Sequence, residues 1–193
     1  MQVGIATRSL NDSEYSGDQC AHWERDNEHI LCMIDGLGHG EEAEKAGKGA
    51  LQFVEEHLSL DFQKLFAGCD SAIRSTRGVA MGIARIEKSS RILHFAGIGN
   101  TRSFVSSTDR RQPKTLNSDR GIIGGGFRRL VPDMLQLKTG DTIVMSTDGI
   151  AERVDIKGYS LEIVGDAQKL AETILEDWGR TTDDRAVLVM IVD

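Results

Sequence analysis

Asp35 stands in MIDGLGHGEEAEKAGKGALQFVEEHL, between an apolar run and a turn with glycine at positions 36, 38 and 40, after which a helical pattern begins. Asp148 closes a second apolar run, TIVMSTDG, and is again followed by glycine. Asp183 and Asp184 come just before the last apolar run, RAVLVMIV, and Asp18 lies in SGDQC, ahead of another strand-like segment. All five carboxylates flank strands, and three of those strands are apolar enough to be central. Neighbouring strands of a sheet lie about 5 Å apart, so strand ends can bring several carboxylates within a few ångströms of each other. Such a cluster repels itself and raises its own pKa values. A hard divalent cation removes the penalty, because Mg²⁺ or Mn²⁺ takes oxygen ligands and keeps several waters. Glycine after Asp35 and Asp148 suits that chemistry, since the backbone turns tightly there and offers its carbonyl unobstructed. Two such ions bridged by a carboxylate can activate a water for attack on a phosphoryl group.

Each piece alone has a plainer explanation. An isolated Asp-Gly is most often a turn, and an Asp pair before a strand is most often a cap or a solvated loop end. The weight rests on the order: an acid, an Asp-Gly-Leu-Gly turn into a helix, GDTIVMSTDG, then an acid pair and a final apolar strand.

The elements that must position these residues follow from the hydrophobic periodicity. Strands are expected over MQVGIATRS, CAHWERD, HILCMID, GVAMGIARIE, RILHFAGIG, TRSFVSS, MLQLKT, GDTIVMSTDG and RAVLVMIVD. From Glu41 to Leu58, Ala43, Ala46, Ala50, Leu51, Val54 and Leu58 recur at helical spacing and give one apolar face. Asp61 is placed to cap a second helix carrying Leu65, Phe66, Cys69 and Ile73. A third helix is expected over Gly165 to Trp178, and the stretch from Thr108 to Pro132, with RGIIGGGFRR, reads as loop with a short strand at most. Short turns between consecutive strands favour antiparallel pairing, and the helices need a sheet face to cover. The expected fold class is α+β, a sandwich of sheet inside and helices outside, in a single domain over residues 1–193.

The chain has 193 residues, a net charge of -7, two prolines and three cysteines. That length suffices for a sizeable core. The acidic balance argues against nucleic acid as a partner, because arginines pair only at Arg110-Arg111 and Arg128-Arg129. No apolar run approaches the roughly 20 residues of a membrane span, and the N-terminus lacks the pattern of a signal peptide. Cys20, Cys32 and Cys69 show no CxxC spacing, which fits reduced thiols in a cytoplasmic protein.

The pieces SGDQC, MIDGLGHGEEAEKA, GIGNTR, LKTGDTIVMSTDGI and TDDRAVLVMIV resemble metal-dependent Ser/Thr protein phosphatases of the protein phosphatase 2C class, in the bacterial SpoIIE/RsbX-like branch and within it the RsbX type. The resemblance runs from about residue 16 to the C-terminus. It implies two mainly antiparallel stacked β-sheets flanked by helices (αββα) and two divalent cations, Mn²⁺ or Mg²⁺, with no protein nucleophile. It implies that Asp35 bridges the metals, that the Gly36 carbonyl helps bind one, and that Asp148 and Asp183 complete the other's shell. Asp18 would act through metal-bound waters and Asp184 would orient the site. The implied substrates are phosphoserine and phosphothreonine on phosphorylated STAS-domain, stressosome-type proteins. The implied early arginine has no match: Arg8 lacks the spacing to Asp18. Val79 stands where a small hydroxyl residue is expected, and His39 reads as an exposed turn residue.

Two other readings exist. DGLGHG also resembles the glycine box of GHKL-type ATPases and kinases, but an apolar strand rather than a helix precedes Asp35, and that fold leaves STDG and the TDD pair unexplained. A metal-poor, catalytically inactive partner-binding module of the same fold has no reason to keep like charges clustered at Asp18, Asp35, Asp148 and Asp183.

Overall fold

A computed structural model describes residues 1–107 and 112–193. Two five-stranded sheets stack face to face. Using chain order, one sheet contains β1 (Gln2–Arg8), β12 (Arg185–Ile191), β11 (Thr142–Ser146), β6 (Arg102–Ser106) and β7 (Lys114–Leu116), adjacent in that order. The other contains β10 (Asp133–Gln136), β5 (Ile92–Ile98), β4 (Val79–Glu87), β3 (Glu28–Gly36) and β2 (Gln19–Glu24). A small hairpin pairs β8 (Gly121–Ile122) with β9 (Gly126–Phe127). Every pairing between these strands is antiparallel.

The central strands β3, β4, β11 and β12 are buried on both faces because each sheet is covered twice. Leu31, Met33, Ala84, Ile86, Leu93 and Phe95 meet Val105, Ile143, Met145, Leu188 and Met190 between the sheets. The alternate residues of β3 and β4, among them Ile30, Cys32, Ile34, Met81 and Ile83, pack instead against α1 (Glu41–Glu56) and α2 (Phe62–Ala72). On the opposite outer face, Val144, Val187 and Val189 lie under α4 (Ala167–Trp178), which presents Leu170, Ala171, Ile174 and Leu175. A fully buried side chain of this size contributes roughly 1.5–3 kcal/mol. A one-residue slip of β3 would exchange its helix-facing and sheet-facing sets, so register is strongly specified.

The helix boundaries have local causes. Asp61 caps α2 by accepting the Lys64 N–H at 2.9 Å, and Glu41, Glu42 and Glu44 lie in the first turn of α1, where the helix dipole favours negative charge. Small residues on the buried stripe of α1, Ala43, Ala46, Gly47 and Ala50, let its backbone come close to the sheet.

Two expectations need correction. The helix expected from Gly165 begins at Ala167, because Asp166 turns the chain and accepts the N–H groups of Gln168 and Lys169, at 3.0 and 3.1 Å. Gly165 instead ends a separate one-turn helix, α3 (Leu161–Val164). The stretch read as loop carries β7, β8 and β9, strands of two or three residues, too short for alternation to register. The Arg110-Arg111 pair and the start of that stretch lie outside the described residues. Among the described residues no helix is long and apolar enough to cross a membrane, and the three cysteines are free thiols.

Candidate active site

The carboxylates gather at one end of the sandwich, but not along one sheet. Asp35 sits near the end of β3 and Asp18 just before β2, both in one sheet. Asp148 follows β11, and Asp183 and Asp184 precede β12, both in the other. The spacing of neighbouring strands explains how Asp148 meets Asp183, since β11 and β12 are paired. It does not explain how either meets Asp35. The stacking of the two sheets does that, so the site is a seam between layers.

The charges act on one another across this seam. Burial, then the charge of Asp35, then those of Asp184 and Asp183, push the Asp18 carboxyl up to about 8, against the bond from Thr147. Burial and the charge of Asp148 push Asp35 up to about 7, opposed by the Asp148 backbone N–H, and Asp183 adds to the upward shift. Asp183 is raised as well, first by burial and then by Asp148 and Asp184, while the Asp184 N–H and the charge of His39 pull it down. The His39 ring is exposed, as expected.

Three of the five have settled partners on other elements. The buried Asp184 accepts the N–H of Leu10 at 2.7 Å on one oxygen and that of Gly17 at 2.8 Å on the other. It thereby fastens the loop that carries Asp18. The buried Asp18 accepts the Thr147 hydroxyl at 2.6 Å. Asp148, half-buried, accepts from Asn100 Nδ2 at 2.7 Å. By contrast, Asp35 Oδ2 is buried with no hydrogen-bond partner, a costly state for a carboxylate oxygen.

Glycines make the close approaches possible. A Cβ at Gly149 would stand 1.9 Å from the Asp184 carbonyl oxygen, and one at Gly36 would stand 2.4 Å from that of Ala43. The Gly36 N–H donates to the Gly17 carbonyl at 3.1 Å, joining the Asp35 turn to the Asp18 loop. Val79 pairs with Gly36 across the β3–β4 ladder and is buried.

Among the described residues no group of three or more His, Cys, Asp or Glu side chains is drawn together tightly enough to hold a metal ion. The carboxylates are neighbours rather than a closed shell. The donor chemistry nonetheless fits a hard cation: carboxylate oxygens, one of them buried without a donor, on three acids raised first by burial and then by mutual repulsion.

The structure therefore brings together all six residues expected from the sequence: Asp18, Asp35, Gly36, Asp148, Asp183 and Asp184. It adds two not singled out there, Thr147 and Asn100. Both stand in stretches that drew notice for their neighbours, STDG and GIGNTR, and a hydroxyl directly before Asp148 was the available signal for Thr147.

Fold and site together define a protein phosphatase 2C-like domain. Residues 25–193 match the family described as Stage II sporulation protein E (SpoIIE), and the chain belongs to that family. It is 25% identical over 158 residues to the phosphoserine phosphatase RsbX of Bacillus subtilis, covering 79% of this chain and 78% of that protein. It is 24% identical to the Stage II sporulation protein E of Priestia megaterium, covering 98% of this chain but only 36% of that longer protein. Among solved structures, a chain from work on the bacterial stressosome and its control of secondary messenger signalling superposes with a TM-score of 0.87 at 27% identity, over 97% of both chains. RsbX crystallised with magnesium superposes with a TM-score of 0.81 at 21% identity, over 96% of this chain and 92% of that one. The chain's relative RsbX is a phosphoserine phosphatase.

Proposed function

We propose that the protein removes phosphate from phosphoserine or phosphothreonine on bacterial stress-signalling proteins of the stressosome STAS type, acting in the cytoplasm as one catalytic unit over residues 1–193. The observation that carries the reading is the buried, partnerless Asp35 Oδ2, on a carboxyl that feels the charges of both Asp148 and Asp183. The relatives support the substrate class, since RsbX is a phosphoserine phosphatase.

Asp35 would lie between two cations, Mg²⁺ or Mn²⁺, with the Gly36 carbonyl on one and Asp148 and Asp183 on the other. When bound, these ions supply a water polarised for in-line attack and positive charge for the phosphoryl oxygens. The chain's own contribution is to hold the ligands at the right places. Asp184 fixes the Leu10–Gly17 loop, and Thr147 keeps Asp18 aimed into the site. Asn100 holds Asp148 by its Oδ2.

Phosphate release from a phosphoserine peptide tests this reading. Wild type should release phosphate with Mn²⁺ or Mg²⁺ and stop with EDTA, while Asp35→Asn should lose at least about a hundredfold in rate. A wild type that binds phosphopeptide but never turns over would instead indicate an inactive binding module. An Asp35→Asn variant that retained near-normal metal-dependent rate would overturn the site.

A further inference from the structure

Arg77 is a cation placed beside this acidic site with no charge of its own to answer. Its Nη1 lies 2.9 Å from where a Cβ on Gly38 would stand, so the guanidinium rests on the Gly36–Gly40 turn that leads away from Asp35. Gly38 has a φ of +83°, and a side chain there would be strained as well as pressed against the guanidinium. The same turn carries His39, close enough to Asp183 for its charge to be felt. Arg77 thus lies against the turn that follows Asp35.

Its backbone is held firmly. Thr76 Oγ1 donates to the Ile73 carbonyl at 2.7 Å and accepts the Gly78 N–H at 3.1 Å. The Gly78 carbonyl accepts the Leu37 N–H at 3.1 Å, which ties the Arg77 loop to the Asp35 turn. Val79 and Ile123 exchange two backbone hydrogen bonds at 2.9 Å each, and Asp70 pins the hairpin behind them by accepting the N–H groups of Gly124 and Gly126, at 2.8 and 2.9 Å. Yet the Arg77 side chain is exposed and forms no ion pair among the described residues. A fixed backbone beneath an exposed guanidinium leaves the charge available to a ligand at the Gly36–Gly40 turn.

We infer that Arg77 is a substrate-binding residue, taking two oxygens of the phosphomonoester dianion as the phosphoamino acid enters the seam. The inference rests on the phosphatase reading above for what enters. A guanidinium presents paired donors that match phosphate oxygens. It also supplies positive charge beside a site whose own side chains are mainly carboxylates. Arg8 does not serve this purpose: it points to Glu176, at 3.9 Å, on α4.

Calorimetry on the full chain in Mg²⁺ tests the assignment, with a hexapeptide bearing the phosphonate analogue of phosphoserine and its unphosphorylated twin. Arg77→Ala should weaken phosphonate-peptide binding at least about tenfold, Arg77→Lys should recover part of that loss, and Arg8→Ala should stay within twofold of wild type. An Arg77→Ala affinity within twofold of wild type overturns the proposal, and so does a wild type that cannot tell the phosphonate peptide from its twin. Turnover of the phosphoserine peptide separates the two claims. If wild type turns over and Arg77→Ala keeps its KM, only the arginine's role falls. If wild type never turns over but Arg77→Ala loses binding, only the catalytic reading falls.

Discussion

Thr147 bridges the two sheets to Asp18. Its hydroxyl donates to Asp18 Oδ2 at 2.6 Å and accepts the Ala186 N–H at 3.0 Å, while its own N–H reaches the Ala186 carbonyl at 3.2 Å. A residue at the end of β11 is thus locked to the start of β12 and holds a carboxylate that arrives from the opposite layer.

Thr147→Val keeps the shape and removes that bridge. It should cost about 1–3 kcal/mol of stability, because the Ala186 N–H and Asp18 are left buried without this partner. It should also weaken Mn²⁺ binding measured by calorimetry. Unchanged urea unfolding together with unchanged metal affinity would remove Thr147 from the account.

Stability of the metal-free protein should fall as pH rises. Asp18 at about 8 and Asp35 at about 7 both lie above their unfolded values near 3.8. Between those limits the folded state holds protons that the unfolded state has released, so the stability slope with pH is negative. The melting temperature in EDTA should therefore drop from about pH 7 to pH 8, above the range in which His22 and His29, both lowered by burial, contribute the opposite slope. Added Mn²⁺ should raise it most at the alkaline end, where the carboxyls are already deprotonated. A metal-free melting temperature that rises over this range would contradict the clustered, raised acids.

Gly149→Ala should disturb Asp148 and Asp184 together, since the new Cβ would meet the Asp184 carbonyl oxygen at 1.9 Å. The expected loss is about 1–3 kcal/mol or more. Gly158→Ala, with nothing within 4 Å of its Cβ, is the matched control and should be near neutral. Equal unfolding curves for the two variants would show that the Gly149 contact is not restrictive.

Asp184→Asn leaves one oxygen where two backbone donors, Leu10 and Gly17, now have one each. Stability should fall by about 1–3 kcal/mol, and hydrogen exchange should speed up at the Leu10 and Gly17 amides ahead of the core of β3. Unaltered exchange at those two amides would mean that Asp184 does not hold the loop.

Much of this arrangement was legible in the chain because its signals are local. The apolar stripe of α1, the Asp61 cap and the runs of β3, β11 and β12 all sit where periodicity put them. The five acids were legible as strand-end residues for the same reason. What could not be read was which sheet each strand joins, because Asp35 and Asp148 meet through the stacking of layers and no sequence period encodes that. Thr147 and Asn100 were missed on similar grounds: each acts on a carboxylate distant in the chain, Asp18 and Asp148. The hairpin of β8 and β9 escaped because strands of two residues carry no alternation, and its position depends on Asp70 from α2.

The most direct test of a metal-dependent phosphatase site at this seam is hydrolysis of an aryl phosphate by wild type and Asp148→Asn, each in EDTA, Mg²⁺ and Mn²⁺. The account predicts strong turnover by wild type with Mn²⁺ or Mg²⁺, none in EDTA, and loss of at least about a hundredfold in the folded variant. Turnover by wild type that persists in EDTA, or an Asp148→Asn rate equal to wild type with metal, would contradict it.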